Sequence, residues 1–281
     1  MAISAFKPEV WSAELLVALE KALVYAAPGV VNRSYEGEIS QYGDTVHITS
    51  LADPTIGTYS AHTDIAIEEI TDADLTLLID QAKYFAFTVD DIEKRQARGD
   101  VLSEQARRAA YKLRDVADQY VASVMAAGVA AGNVIAEQTL ATAAAAYDLL
   151  VDLGVTLDEN DVPTESRFVV ITPKFHGLLL KDDRFVSAGD AQGASVRANG
   201  LVGEAAGFSI RKSNNAPAGP GVGAGKLILA GSDIATTYAE QIANTESARK
   251  EKGFGDIVKG LHLYGTKIVR PTALAAADVI I

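Results

Sequence analysis

The 281-residue sequence contains no cysteine, one tryptophan, two methionines and four histidines. Without cysteine the chain has no disulfide bond, no thiol nucleophile and no Cys-based zinc site. The zero count is compatible with a reducing cytoplasm. The four histidines lie in separate segments with no i,i+4 pair, so we expect no metal site and interpret them as surface or packing residues: His47, His62, His176 and His262.

Targeting and membrane-spanning patterns are also missing. The N-terminal MAISAFKPEVW lacks the charged start and long apolar run of a signal peptide. The longest uncharged run, Tyr120–Ala136, is too short to cross a bilayer comfortably. We therefore expect a soluble protein of the cytoplasm without a membrane partner. Positive charge is scarce, with a net charge of −12, which argues against a protein that grips nucleic-acid phosphates directly.

Recognisable catalytic motifs are absent. The glycine-rich loop AGPGVGAGK, residues 218–226, fails the P-loop pattern because Pro220 and Leu227 stand where glycine and Ser/Thr are required. The loop also fails as a dinucleotide-binding fingerprint, because a predicted strand follows it and the phosphates of a dinucleotide need the N-terminus of a helix. We predict no catalytic residue, no cofactor and no metal, and hence no enzyme. A soluble α/β enzyme that uses this loop stays as an alternative.

Hydrophobic periodicity predicts an α+β chain. A helix is expected over residues 8–27, ending at Pro28-Gly29, and another over Asp100–Ala127 with Leu113, Val116 and Tyr120 on its apolar face. Residues 134–232 alternate helix and strand and read as a compact inserted unit. The remaining segments predict strands: DTVHITSL, DLTLLID, KYFAFTV, ATTYAEQIANTESAR and GFGDIVKGLHLYGTKIVRP.

Charge is distributed unevenly between two of these segments. Residues 32–82 carry ten acidic residues and one arginine, a net of −9, whereas residues 94–114 carry seven basic and two acidic residues, a net of +5. A long β excursion that cannot bury itself needs an external surface, and complementary charge would fix its register on a second copy. The candidate contact residues are Glu68, Glu69, Asp72 and Asp74 on the acidic side and Arg95, Arg98, Arg107, Arg108 and Lys112 on the basic side. The alternative is two unrelated solvated faces.

The order of these parts resembles the tailed-bacteriophage major capsid protein, the Hong Kong 97-like fold, over essentially the whole chain. The phrases that carry the resemblance are GDTVHI, DPTI, LTLLIDQAKYFAFTVDDIEKRQ, FVVITPKFHGLLLKDDRF, GLVGEAAGFSIRKSNN and FGDIVKGLHLYGTKIVRPTAL. The resemblance implies an N-terminal arm over 1–31, an extended β-hairpin loop over 32–87, a peripheral domain over 88–133 and 233–281 that includes the long spine helix, and an axial domain over 134–232.

The resemblance also implies a function. The chain would be a structural shell subunit that self-assembles as hexamers and pentamers into an icosahedral shell around phage double-stranded DNA, without sequence-specific binding. It would be assembled in the host cytoplasm, reside in the virion, and work with a portal and a decoration protein. Because the arm starts almost at Met1, we expect any scaffolding protein to be separate. No lysine lies between Asn32 and Ala82, so covalent cross-linking through that loop is not expected. An encapsulin-type bacterial nanocompartment is the alternative with the same fold.

Overall fold

The computed structural model describes residues 23–35, 45–51, 56, 58, 72–90, 101–182, 203–250 and 253–281. Within these residues the mixed α+β composition is confirmed. The helices are α1 (Val101–Gly128), α2 (Ala143–Glu159) and α3 (Pro173–Leu179). The strands are β1 (Thr45–Leu51), β2 (Asp72–Leu78), β3 (Gln81–Asp90), β4 (Val134–Thr139), β5 (Arg167–Ile171), β6 (Glu204–Ala205), β7 (Phe208–Lys212), β8 (Lys226–Ser232), β9 (Thr236–Arg249), β10 (Gly255–Ile268) and β11 (Leu274–Ile280).

The strands form three sheets. β1 and β2 form an antiparallel pair, and β3, β10 and β9 form an antiparallel sheet in that order. The third sheet is mixed and has the order β4-β11-β8-β5-β7-β6. Every residue of β5 is buried, and the four residues after Arg167 are all apolar, as expected for a strand covered on both faces. The predicted C-terminal strand segment is confirmed as β10, which lies between β3 and β9.

Helix α1 runs for 28 residues, about one residue displaced from the predicted span. Its buried face differs from the predicted one. The fully buried positions follow the stripe of Ala117, Val121 and Met125, whereas Val116 is 41% exposed. Leu113 belongs to both stripes. Small alanines on this face allow the helix to approach the sheets closely, so size and not hydrophobicity alone selects the buried face.

The two shorter helices cover the six-stranded sheet, and a threonine hydroxyl caps each of them. The Thr142 hydroxyl accepts from the Ala145 N–H at 3.3 Å, and the Thr172 hydroxyl accepts from the Phe175 N–H at 3.3 Å. These bonds satisfy backbone donors that a helix N-terminus otherwise leaves unpaired. Leu149, Leu150 and the other inward residues of α2 are buried against the sheet.

The predicted N-terminal helix differs from the structure where the structure describes it. Residues 1–22 of the predicted N-terminal helix lie outside the described residues, and residues 23–27 form a turn instead of a helix. The turn is held because Oδ1 of Asp118 accepts the N–H groups of Val24, Tyr25 and Ala26, at 2.9, 2.7 and 3.3 Å. Strand β11 lies in the six-stranded sheet between β4 and β8, so a strand from residues 233–281 pairs with strands from residues 134–232. The domain limits themselves stay a prediction.

Candidate subunit-contact surfaces

The basic half of α1 presents three of the five basic candidates to solvent. Arg107, Arg108 and Lys112 are all exposed, and Arg108 and Lys112 are four residues apart on the helix. Tyr111 lies among them, is 54% exposed and carries the Arg114 guanidinium over its ring at 4.3 Å from the centroid. Arg95 and Arg98 lie outside the described residues. The structure therefore brings three basic side chains and an exposed aromatic ring to one helix surface.

The acidic candidates fall on the β1–β2 pair and the segment that joins its strands. Asp72 and Asp74 lie in β2, where their backbones are paired with Leu51 and Thr49 of β1. Glu68 and Glu69 lie outside the described residues. The hairpin register is consistent with the predicted extended loop at its base. The pairing of acidic and basic segments between copies stays a prediction.

An exposed apolar patch lies on one face of the β3-β10-β9 sheet. Tyr84 of β3 is 78% exposed and is the direct cross-strand partner of Leu261 of β10, which is 36% exposed. Lys259 lies on the same face and forms an ion pair with Glu246 of β9, with 2.7 Å between Nζ and Oε2. Exposed aromatic and aliphatic side chains bordered by charges are typical of protein contact surfaces. The sequence alternation predicted the strand but did not single out this face.

A buried charged cluster ties the segment after the predicted arm to β9 and β10. The Arg33 guanidinium forms an ion pair with Glu240, whose side chain is 3% exposed. Glu240 Oε2 also accepts from the Tyr238 hydroxyl at 2.7 Å and lies 3.1 Å from His262 Nε2. Burial by itself would raise the pKa of Glu240, but the His262 hydrogen bond and the Arg33 charge outweigh it and lower that pKa below its usual value.

Asp118 forms a second buried junction, between α1, residues 24–26 and the loop after β7. Besides the three backbone N–H groups on Oδ1, its Oδ2 accepts from Asn215 Nδ2 at 3.3 Å. The same amide group donates to Asp115 at 2.9 Å. Burial raises the pKa of Asp118, although the backbone N–H groups oppose this change. One carboxylate thus fastens three parts of the chain to each other.

The glycine-rich loop folds back over two carboxylates of the six-stranded sheet. The Gly221 N–H donates to Asp278 Oδ2 at 2.9 Å, and the Gly223 N–H donates to Glu137 Oε2 at 2.9 Å. A Cβ on Gly219 would lie 1.8 Å from Asp278 Oδ1, so a larger residue would force the Asp278 side chain to shift. These two N–H groups are therefore occupied, and the neighbouring negative charge disfavours a phosphate. The geometry gives no support to the nucleotide interpretation of this loop.

Two of the histidines, His176 and His262, are packing residues. His176 is buried on α3, where burial and the Lys212 charge lower its pKa, and His262 is fully buried beside Glu240. Among the residues that the structure describes, no group of three or more His, Cys, Asp or Glu side chains could hold a metal ion. No helix of that same part of the chain is long and apolar enough to span a bilayer.

Comparison with protein families gives a match over most of the chain. The sequence model of the phage capsid protein family matches residues 74–277. A solved structure from Mycobacterium phage Che8 is similar at a TM-score of 0.73 and 30% sequence identity, with 91% of this chain and 91% of that chain covered.

More distant solved structures share the fold. The capsid structure of cyanophage P-SCSP1u is similar at a TM-score of 0.70 and 18% identity, covering 86% of this chain and 85% of that one. A virus-like particle from Pyrococcus furiosus is similar at a TM-score of 0.54 and 14% identity, covering 96% of this chain and 98% of that one. No curated protein matches the sequence.

Proposed function

The chain belongs to the phage capsid protein family and is a structural protein of the capsid shell; from this premise we propose that it assembles as hexamers and pentamers into an icosahedral shell enclosing phage double-stranded DNA. Each extended loop lies across the peripheral domain of a neighbouring copy. Assembly takes place in the host cytoplasm, with the portal, scaffolding and decoration proteins as separate partners. The single observation that supports the contact is the opposed charge of residues 32–82 and 94–114.

Three exposed basic side chains on α1 support this assignment of surfaces. Arg107, Arg108 and Lys112 are exposed on α1, a helix of 28 residues, so they lie on the surface of the subunit. Exposed ion pairs contribute only about 0–1 kcal/mol each. Repetition over every copy of a closed shell makes even that contribution decisive, and the charges fix register and speed encounter.

The net charge of the chain supports the enclosure of DNA without binding to its sequence. A strongly basic wall would hold the phosphates tightly and hinder release of the genome, whereas a chain with net charge −12 does not. Purified shells are expected to retain nucleic acid after nuclease treatment, seen as a high ratio of absorbance at 260 to 280 nm. Shells that enclose protein and no nucleic acid would instead support the nanocompartment alternative.

The charge contact is tested by reversing Arg107→Glu together with Arg108→Glu. We expect a folded subunit by circular dichroism and loss or strong reduction of shells by size-exclusion chromatography and electron microscopy. The matched control reverses Lys267→Glu with Arg270→Glu, two exposed basic residues at the end of β10 and beyond. Normal shells from the first variant would refute the charge contact and leave the shell function intact. Absence of shells from the unmodified chain would refute the proposed function itself.

A further inference from the structure

Helix α2 carries an apolar ridge that its own sheet does not cover. Val151 is 43% exposed and Val155 is 48% exposed, and the two are four residues apart on the outward face of the helix. Asp152 and Glu159 are exposed beside them. We call Val151, Asp152, Val155 and Glu159 the α2 ridge. A pair of half-exposed valines on a helix is ordinary, but their acidic border is not neutralised locally.

The ridge lies in a stretch of one charge sign. Residues 140–166 contain six acidic residues and neither lysine nor arginine. Asp158 at the end of α2 is neutralised by Arg167, with 2.7 Å between Oδ1 and NH2. Asp152, in contrast, has no ion pair with a described residue. The ridge therefore combines apolar side chains with uncompensated negative charge.

A second surface of the same six-stranded sheet has the complementary character. A cavity of about 290 Å³ opens where β5 gives way to α3 and where β11 ends. We call it the lysine-rimmed pocket, and it is lined by Thr172, Pro173, Lys174, Asn214, Ala224, Lys226, Val279, Ile280 and Ile281. Five of these nine residues are apolar and two are lysines, so the pocket combines apolar surface with positive charge.

Both lysines of the pocket contact main-chain oxygens. The Lys174 ammonium donates to the Ile281 main-chain oxygen at 3.3 Å, and the Lys226 ammonium donates to the Ala216 carbonyl at 3.2 Å. Each contact uses one of the three donors of the ammonium group. Neither lysine forms an ion pair with an Asp or Glu side chain among the described residues.

A ring of identical subunits requires two different surfaces that fit each other. In a rotationally symmetric ring each copy offers one surface to the copy before it and another to the copy after it, which is a heterologous contact. The α2 ridge and the lysine-rimmed pocket share no residue, and both are half-apolar with opposite charge. On these grounds we propose that the lysine-rimmed pocket of one copy receives the acid-bordered valine ridge of α2 from the next copy in the capsomer.

The inference deepens the proposed function and rests on it, because only an assembling chain has a next copy. The apolar wall distinguishes this partner from the phosphates of DNA. A phosphate site would need more donors and fewer apolar residues than Val279, Ile280 and Ile281 bring to this lining. The valine side chains supply the apolar contact, and the charges fix which copy of the ridge enters which pocket.

The experiment is a charge swap between the two surfaces. Asp152→Lys alone and Lys174→Glu alone should each raise the protein concentration required for shell assembly about tenfold or more, because each places like charges together. The chain with both substitutions should assemble at a concentration near that of the unmodified chain. Recovery of this kind measures coupling between the sites, which independent surface charges do not show.

Controls separate this contact from general charge effects and from folding. Glu165→Lys and Lys267→Glu reverse exposed charges outside the two surfaces and should assemble normally. Circular dichroism shows whether each variant subunit is folded. If a charge-reversed variant does not fold, the neutral substitution at the same position, Asp152→Asn or Lys174→Gln, takes its place. Single variants that assemble normally, or a double variant that stays defective, would overturn the inference. The proposed function would still stand in that case if the unmodified chain forms normal shells. Shell formation failing in the unmodified chain would refute both.

Discussion

The buried cluster around Glu240 predicts that a single neutralising substitution costs far more than its small change in shape suggests. In Glu240→Gln the side chain keeps its length and loses its charge. The Arg33 guanidinium, which is 11% exposed, then loses its ion pair with Glu240. The Tyr238 hydroxyl and His262 Nε2, which now contact a carboxylate oxygen at 2.7 and 3.1 Å, would face an amide instead.

The expected magnitude follows from this burial. Removing one member of a buried, hydrogen-bonded ion pair costs about 3–5 kcal/mol, because the remaining charge is left without compensation. At about 1.4 kcal/mol for each factor of ten, the folding equilibrium constant should fall roughly 10²- to 10⁴-fold. In a chain of this size such a loss lowers the unfolding midpoint by roughly 6–20 °C.

A matched control exists on the same strand. Glu246→Gln is the same chemical change six residues later in β9, where the ion pair with Lys259 is about half exposed on both sides. That pair should contribute about 0–1 kcal/mol. The measurement is urea or thermal unfolding of the unassembled subunit, followed by circular dichroism. Equal losses in the two variants would refute the argument that burial of the Arg33–Glu240 pair, and not its charge alone, determines the cost.

Three further outcomes are expected. The difference in unfolding free energy between the unmodified chain and Glu240→Gln should be fully present above pH 4.5, the usual carboxyl pKa, and should shrink as pH falls below it, because folding lowers the pKa of Glu240. A difference that does not change between pH 3 and 7 would contradict this. Asp118→Ala should cost about 2–5 kcal/mol, because it leaves buried backbone N–H groups without an acceptor, and proteolysis near residues 23–31 should speed up; unchanged cleavage would argue against the junction. Gly265→Ala should destabilise the subunit, because its Cβ would lie 2.3 Å from the Leu78 carbonyl oxygen, whereas Gly177→Ala on α3 meets nothing within 4 Å and should be neutral or stabilising; equal midpoints would be the contrary result.

Local pattern was sufficient to predict most of the secondary structure. Alternation in DTVHITSL and DLTLLID predicted β1 and β2, because the period of side-chain exposure follows directly from backbone geometry. The long helix was predicted to within about a residue. Its buried face was predicted less well. Val116 and Ala117 are neighbours in sequence, and only the shape of the facing sheets decides which one is buried.

The residues that hold the parts together could not be predicted from the sequence. Asp118 accepts from residues more than ninety positions away, and Glu240 joins Arg33 across 207 positions. An aspartate on an amphipathic helix and a glutamate in an alternating strand both look solvated when only their neighbours are considered. The one weak indication in the sequence that Glu240 is buried is its place in the stretch TTYAEQ, which carries no other charged residue. Contacts between residues far apart in the chain leave no local sequence pattern, so only the folded structure reveals them.

The place of β11 in the six-stranded sheet has a consequence for biosynthesis. During translation β4, β5, β7 and β8 leave the ribosome before Leu274–Ile280, yet β11 is the strand that joins β4 to β8. Nascent chains on a polysome therefore hold an unfinished sheet with two unpaired edges, and they cannot yet present a completed subunit. A version truncated before Leu274 should fail to form a protease-resistant core, and a resistant core in it would contradict this. Vectorial synthesis therefore delays completion of this sheet until β11 has been synthesised.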